Sequence, residues 1–141
     1  MKVLGRAEDQ IDLSGEKMTV DEAVGAITQL DLNYSLKVTD FVVCPVAWQS
    51  GRTTIAHEWI LECENPPADS ESFRQSLETE LSKRNERYRD LRLGILEEPK
   101  ITFVDKGTFQ RYTENHLVYG QQKMLHMHND RVVADSLLHH A

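Results

Sequence analysis

The chain has 141 residues, of which 40% are hydrophobic, and 16 basic against 23 acidic side chains give a formal net charge of -7. A field of that sign repels phosphate backbones and disfavours nucleic acid as a partner. No apolar run approaches the roughly 20 residues of a membrane span, and the start MKVLGR lacks an apolar signal stretch, so no membrane partner and a cytoplasmic location are expected.

A chain of this length forms one compact domain. From Val3 to Met18 it reads as two short extended pieces around Ala7 to Gln10, with Gly15 closing the second, which predicts an N-terminal β-hairpin. Thr19 then caps a helix, whose acidic Asp21 and Glu22 favour the positive end of the dipole. Val20, Val24, Ile27 and Leu30 form its apolar stripe. Leu36 to Trp48 and Thr53 to Glu64 read as strands joined by a Ser50-Gly51 turn. That turn sets Val42 opposite Trp59, Val46 opposite Ile55, Cys44 opposite His57 and Val38 opposite Cys63. The two cysteines then lie too far apart to bridge, and His57 is expected to be packed.

After Asn65-Pro66-Pro67 a single long helix is predicted from Asp69 to Leu91, with Phe73, Leu77, Leu81, Tyr88 and Leu91 inward. Arg84, Arg87, Arg89 and Arg92, diluted by Glu80, Glu86 and Asp90, read as a solvated face with i,i+4 pairing. Lys100 to Val104 is a further strand. Gly107-Thr108 opens another helix with Phe109, Tyr112, His116 and Leu117 inward; an irregular or extended stretch follows Gly120, and Arg131 to His139 closes as a helix. The order implies an α+β fold, a small mixed β-sheet covered by helices, in a ferredoxin-like arrangement behind the hairpin.

Two blocks carry a family resemblance. Gly5-Arg6-x-Glu8-Asp9-x-Ile11, followed by Gly15-Glu16-Lys17, resembles the hinge motif of adenylate-forming enzymes, which joins a large ATP-binding domain to a small carboxy-terminal lid. Asn85-x-x-Tyr88-Arg89-x-x-Arg92, Ile101-x-x-Val104-x-x-Gly107-Thr108-Phe109 and Gly120 to Lys123 are similar to the end of the auxin-responsive acyl acid amido synthetases. The strand His57 to Glu62 is similar to the bacterial branch of that family, whereas Met124-Leu125-His126 stands where plant members have Val-Pro-Arg. The resemblance divides the chain into a hinge-like segment and hairpin, residues 1–19, and an α+β lid, residues 20–141.

That resemblance implies a mobile lid of a ligase that forms an acyl-adenylate from acid and ATP and transfers the acyl group to an amine. Lys123 is then the catalytic group for adenylation, Glu8 with Asp9 the hinge, and Arg6 a nucleotide contact in the full-length enzyme. Glu58 and Glu62 alternate onto one strand face, where they meet the incoming amine, touch the large domain, or form the wet side of a half-covered sheet. No phosphate-cradling loop is recognisable, so no cofactor is expected in this chain, with ATP and Mg belonging to the full-length enzyme. The isolated chain is expected to be inactive. Its implied partner is a large N-terminal adenylating domain, with a homodimer through the exposed docking face as a further state. The alternative function is a stand-alone, non-catalytic interaction module. His126-x-His128 lacks committed further ligands, so no metal site is expected.

Overall fold

The computed structural model describes residues 9–49, 53–116 and 125–139. Arg6, Glu8, the Ser50-Gly51 turn, Leu117 and Gly120 to Lys123 lie outside the described residues. A two-stranded antiparallel ribbon comes first, β1 (Gln10–Ile11) with β2 (Met18–Thr19). The described turn of this hairpin is residues 12–17, later than the Ala7 to Gln10 position expected from sequence. Gly15 sits there at φ 110°, which favours glycine, and its amide donates to Asp12 Oδ1 at 2.9 Å.

Helix α1 (Val20–Tyr34) starts at a complete capping box. Glu22 N donates to Thr19 Oγ1 at 3.3 Å and Thr19 N to Glu22 Oε1 at 3.0 Å. Its buried stripe is Ala23, Ala26, Ile27 and Leu30, at i, i+3, i+4 and i+7, and Val24 falls outside it, 40% exposed. The helix ends at Ser35 in the left-handed region. Asp31 then accepts the amides of Lys37 and Val38, turning the chain into the sheet.

Strands β3 (Val38–Gln49) and β4 (Thr53–Cys63) pair antiparallel, and β5 (Lys100–Val104) lies parallel beside β4. The hairpin register differs by one residue from the expected one: Val42 faces Ile60, Val46 faces Ala56, and Cys44 faces Glu58. Loop length sets register, and this ladder closes at Gln49 and Thr53, with three residues between instead of two. A register shift between Val38 and Asp40 restores the expected Val38–Cys63 pair. Both cysteines are free and buried.

In place of one long helix there are two, α2 (Ser70–Arg84) and α3 (Glu86–Leu91). Asn85 adopts extended angles between them, with its amide bonded to Leu81 O and its side chain accepting from Tyr88 N at 2.8 Å. An asparagine is a weak helix interior and a strong N-cap, which is why the helix breaks there. Helices α4 (Thr108–His116) and α5 (Val132–His139) are the last two described elements.

The sheet is covered on both faces. Phe41, Val43, Trp59, Leu61 and Cys63 pack with α1, α2, the hairpin and Tyr88 in the larger core. Val42, Cys44 and Ile60 pack with Phe109, Tyr112, Ala134 and Leu137 beneath α4 and α5. The mixed sheet, its helical cover and the preceding hairpin agree with the α+β expectation. Compared with a split ferredoxin-like crossover, β5 sits directly against β4 with no strand between. Among the described residues no helix is long and apolar enough to cross a membrane.

Candidate functional site

The hairpin is fixed to the body through a buried polar cluster. Glu16, inside the turn, gathers the amides of Ser14 and Leu13 at 2.8 and 3.0 Å and meets His57 Nε2 at 2.7 Å. Both side chains of that pair are 0% exposed. Burial pushes the Glu16 carboxyl up, but the His57 contact and the two amides outweigh it and bring it down to about 2. Because a carboxylate only accepts, His57 carries its proton on Nε2. Its Nδ1 has no hydrogen-bond partner among the described residues.

Asn85 closes the cluster from the helix junction. Its Nδ2 donates to Glu16 O at 2.9 Å and to Glu22 Oε1 at 3.0 Å, so one side chain joins the hairpin, the start of α1 and the α2–α3 break. Tyr88 lies against His57, ring centroids 5.5 Å apart, and donates its hydroxyl to Glu78 at 3.3 Å. Arg92 pairs with Glu78 and also donates to Leu96 O at 3.0 Å. The Asn85, Tyr88 and Arg92 motif is therefore a bracket holding the hairpin and helices together. His57 is packed, as expected, but against Glu16 and Tyr88 on the face away from Cys44.

Glu58 and Glu62 do share a face, yet that face is not open. They are 1% and 6% exposed beneath α4 and α5. Glu58 accepts from Thr102 Oγ1 at 2.5 Å and from Arg131 Nη1 at 2.8 Å. Arg131 also reaches Pro45 O at 2.9 Å and pairs with Asp135. Glu62 accepts from Phe109 N at 2.9 Å, capping the start of α4, and from Thr39 Oγ1 at 2.9 Å. The wet-face expectation fails because the terminal helices fold over strand positions that alternation alone leaves bare. Burial pushes the neighbouring Cys44 thiol up to about 12, which removes it as a nucleophile near neutral pH.

The strip downstream of Lys123 runs along the free edge of β3. Val43 N donates to His126 O at 2.7 Å, and His128 N donates to Val43 O at 2.9 Å. His126 stacks on Phe41, centroids 4.3 Å apart, and its Nδ1 bonds Phe41 O at 2.7 Å. His128 Nε2 bonds Leu125 O at 2.7 Å, so the two histidines serve separate carbonyls. Among the described residues no group of three or more His, Cys, Asp and Glu side chains gathers for a metal.

Of the sequence-predicted site residues, Asp9 alone of the hinge set is described. Its carbonyl accepts from Val20 N at 3.2 Å and its Oδ1 from Met127 N at 3.4 Å. The sequence reading missed the Glu16–His57 pair and the Asn85 junction. An asparagine followed by Glu86 inside a helical pattern was the available signal for the latter.

The solved structure described as GH3.15 acyl acid amido synthetase superposes with a TM-score of 0.71 at 18% identity, over 92% of this chain and 26% of that one. A second, AtGH3.15 acyl acid amido synthetase in complex with 2,4-DB, gives 0.70 at 18% identity, over 96% and 26%. The chain thus spans about a quarter of the length of these structures, and the likeness is one of fold. No curated protein matches the sequence. The family model described as GH3 family C-terminal domain matches residues 19–132, and the chain belongs to that family.

Proposed function

We propose that this chain works as the mobile carboxy-terminal domain of an ATP-dependent acyl-acid amido synthetase-like ligase, of the bacterial type. The ligase forms an acyl-adenylate and passes the acyl group to an amine such as an amino acid. The family match over residues 19–132 carries the reading. The attachment of the hairpin supports it, because a rigidly held hairpin lets a hinge at Glu8 and Asp9 turn the whole domain.

In this reading ATP and magnesium are held by a large adenylating domain, and this chain supplies groups that enter when the domains close. Lys123 brings a flexible ammonium to carboxylate and α-phosphate oxygens as charge moves between them. Arg6 hydrogen-bonds ribose or phosphate oxygens beside the hinge. Glu58 and Glu62 belong to the scaffold, since each already holds protein donors. Rotation then exchanges one set of groups for another between adenylation and amide formation.

Lys123→Ala, in this chain joined to an adenylating domain, separates the two halves. Adenylate formation is expected to fall by roughly 100-fold or more, the scale of losing one preorganised charge stabiliser. Amide formation from supplied acyl-adenylate is expected to stay near normal. Unchanged adenylate formation would remove Lys123 from its role.

A further inference from the structure

Helix α1 has two faces, and the core accounts for one of them. Ala23, Ala26, Ile27 and Leu30 are buried in the larger core. Val24, Asp31 and Leu32 share the adjoining side, at i, i+7 and i+8, where Val24 is 40% and Leu32 73% exposed. That side lines a groove of about 520 Å³, together with the chain from Lys37 to Phe41 leading into β3, and with His126. A groove of this size suits a small molecule.

Its polar groups are mostly acceptors. Asp31 is held by the amides of Lys37 and Val38 at 2.8 and 3.1 Å, one on each oxygen, and a carboxylate accepts further donors beyond these. Asp40, whose Oδ1 accepts from Phe41 N at 2.8 Å, brings a second negative charge. His126 Nδ1 bonds Phe41 O at 2.7 Å, and a carbonyl only accepts, so Nδ1 holds the proton. Nε2 of the neutral ring is then an acceptor, in a plane fixed by the stacking on Phe41. Against the two carboxylates the groove sets one ammonium, that of Lys37, so anions are disfavoured. A metal ion finds no group of three ligands among the described residues. A primary ammonium, with three N–H donors and one positive charge, matches both the acceptors and the field.

We propose that this groove binds a small primary ammonium compound that carries a short apolar chain. The ammonium sits on Asp31, Asp40 and His126 Nε2, and the chain covers Val24 and Leu32. The site goes beyond the ligase reading and stands without it, because every residue in it belongs to the described part of this chain.

Titration of this chain with isopentylamine at neutral pH, followed by amide chemical shifts, tests it. Saturable shifts are expected at Val24, Asp31, Asp40 and His126, with a Kd on the order of 1 mM, the scale for a ligand of six heavy atoms. Leu77 and Leu81, in the core part of α2, are expected to stay in place. Isopentanol lacks the charge and is expected to bind about tenfold more weakly, and isovalerate more weakly still. Asp40→Asn keeps an oxygen for the Phe41 amide and is expected to weaken the amine about tenfold. Leu32→Ser, at a position 73% exposed, spares the fold and is expected to weaken the amine about threefold. No shifts up to about 50 mM amine, shifts scattered away from the groove, or alcohol binding equal to amine binding overturns the proposal. Unchanged affinity in Asp40→Asn overturns the ammonium seat, and unchanged affinity in Leu32→Ser overturns the apolar wall.

Discussion

Arg131→Ala is expected to destabilise the fold by about 3–5 kcal/mol, because it strips the main cationic partner from a carboxylate that is 1% exposed. Among the described residues Glu58 keeps the Thr102 hydroxyl alone, at 2.5 Å, and Pro45 O and Asp135 lose a donor as well. The desolvation of the Glu58 charge is then uncompensated. Replacing both members, as in Glu58→Leu with Arg131→Met, removes the unpaired charge and should recover most of the loss. Urea unfolding of the single and double variants decides the matter. A double variant as unstable as Arg131→Ala would show that lost packing, and not the stranded charge, is the cause.

The second large effect lies on the opposite face of the sheet. Glu16→Ala is expected to cost about 3–5 kcal/mol, since it leaves His57 without its Nε2 partner and the Leu13 and Ser14 amides without an acceptor. Glu16→Gln keeps an acceptor oxygen and should cost about 1–3 kcal/mol. The pair also gives stability a pH signature. The folded carboxyl is held at about 2, below its ordinary 4.5. Its contribution is therefore complete above pH 4.5 and is lost as pH falls toward 2. Glu16→Gln removes that slope, so acid unfolding of the variant should be flatter across this window. An unchanged acid profile would mean that Glu16 is not the group titrating there.

Much of this fold is legible from the residues. The Thr19 cap, the β3 and β4 runs, the Lys100 strand and the terminal helix carry strong local signals, and each sits close to where pattern and cap place it. What was missed is non-local. The hairpin register turns on one loop residue, which flips the face that Trp59 and Glu58 present relative to β3. The Asn85 break was hidden by an apolar stripe that continues across it, because α2 and α3 both lean on the same core. Glu58 and Glu62 look like solvent-facing alternation until α4 and α5, far along the chain, are folded over them. Glu16 reads as one more charge in a motif, and only the tertiary fold supplies His57 and Asn85. The family resemblance located these residues, but their partners lie 41 and 69 positions away.

The same contrast separates scaffold from chemistry in the proposed ligase. Glu58 and Glu62, which the strand alternation offered to an incoming amine, are consumed by internal contacts, and so is the packed His57. Among the described residues, Asp9, Gln10 and Asp12 of the hairpin side are joined to Met127 and Asn129 at one edge. On the proposed reading the substrate pockets belong to the adenylating domain, so the chemistry should appear only on assembly.

ATP–pyrophosphate exchange tests that most directly, measured for this chain alone and for the chain joined in frame to an adenylating domain of the same family. No exchange by the chain alone, and exchange by the joined protein that Lys123→Ala abolishes, is the predicted result. Measurable exchange by the chain alone would contradict the account.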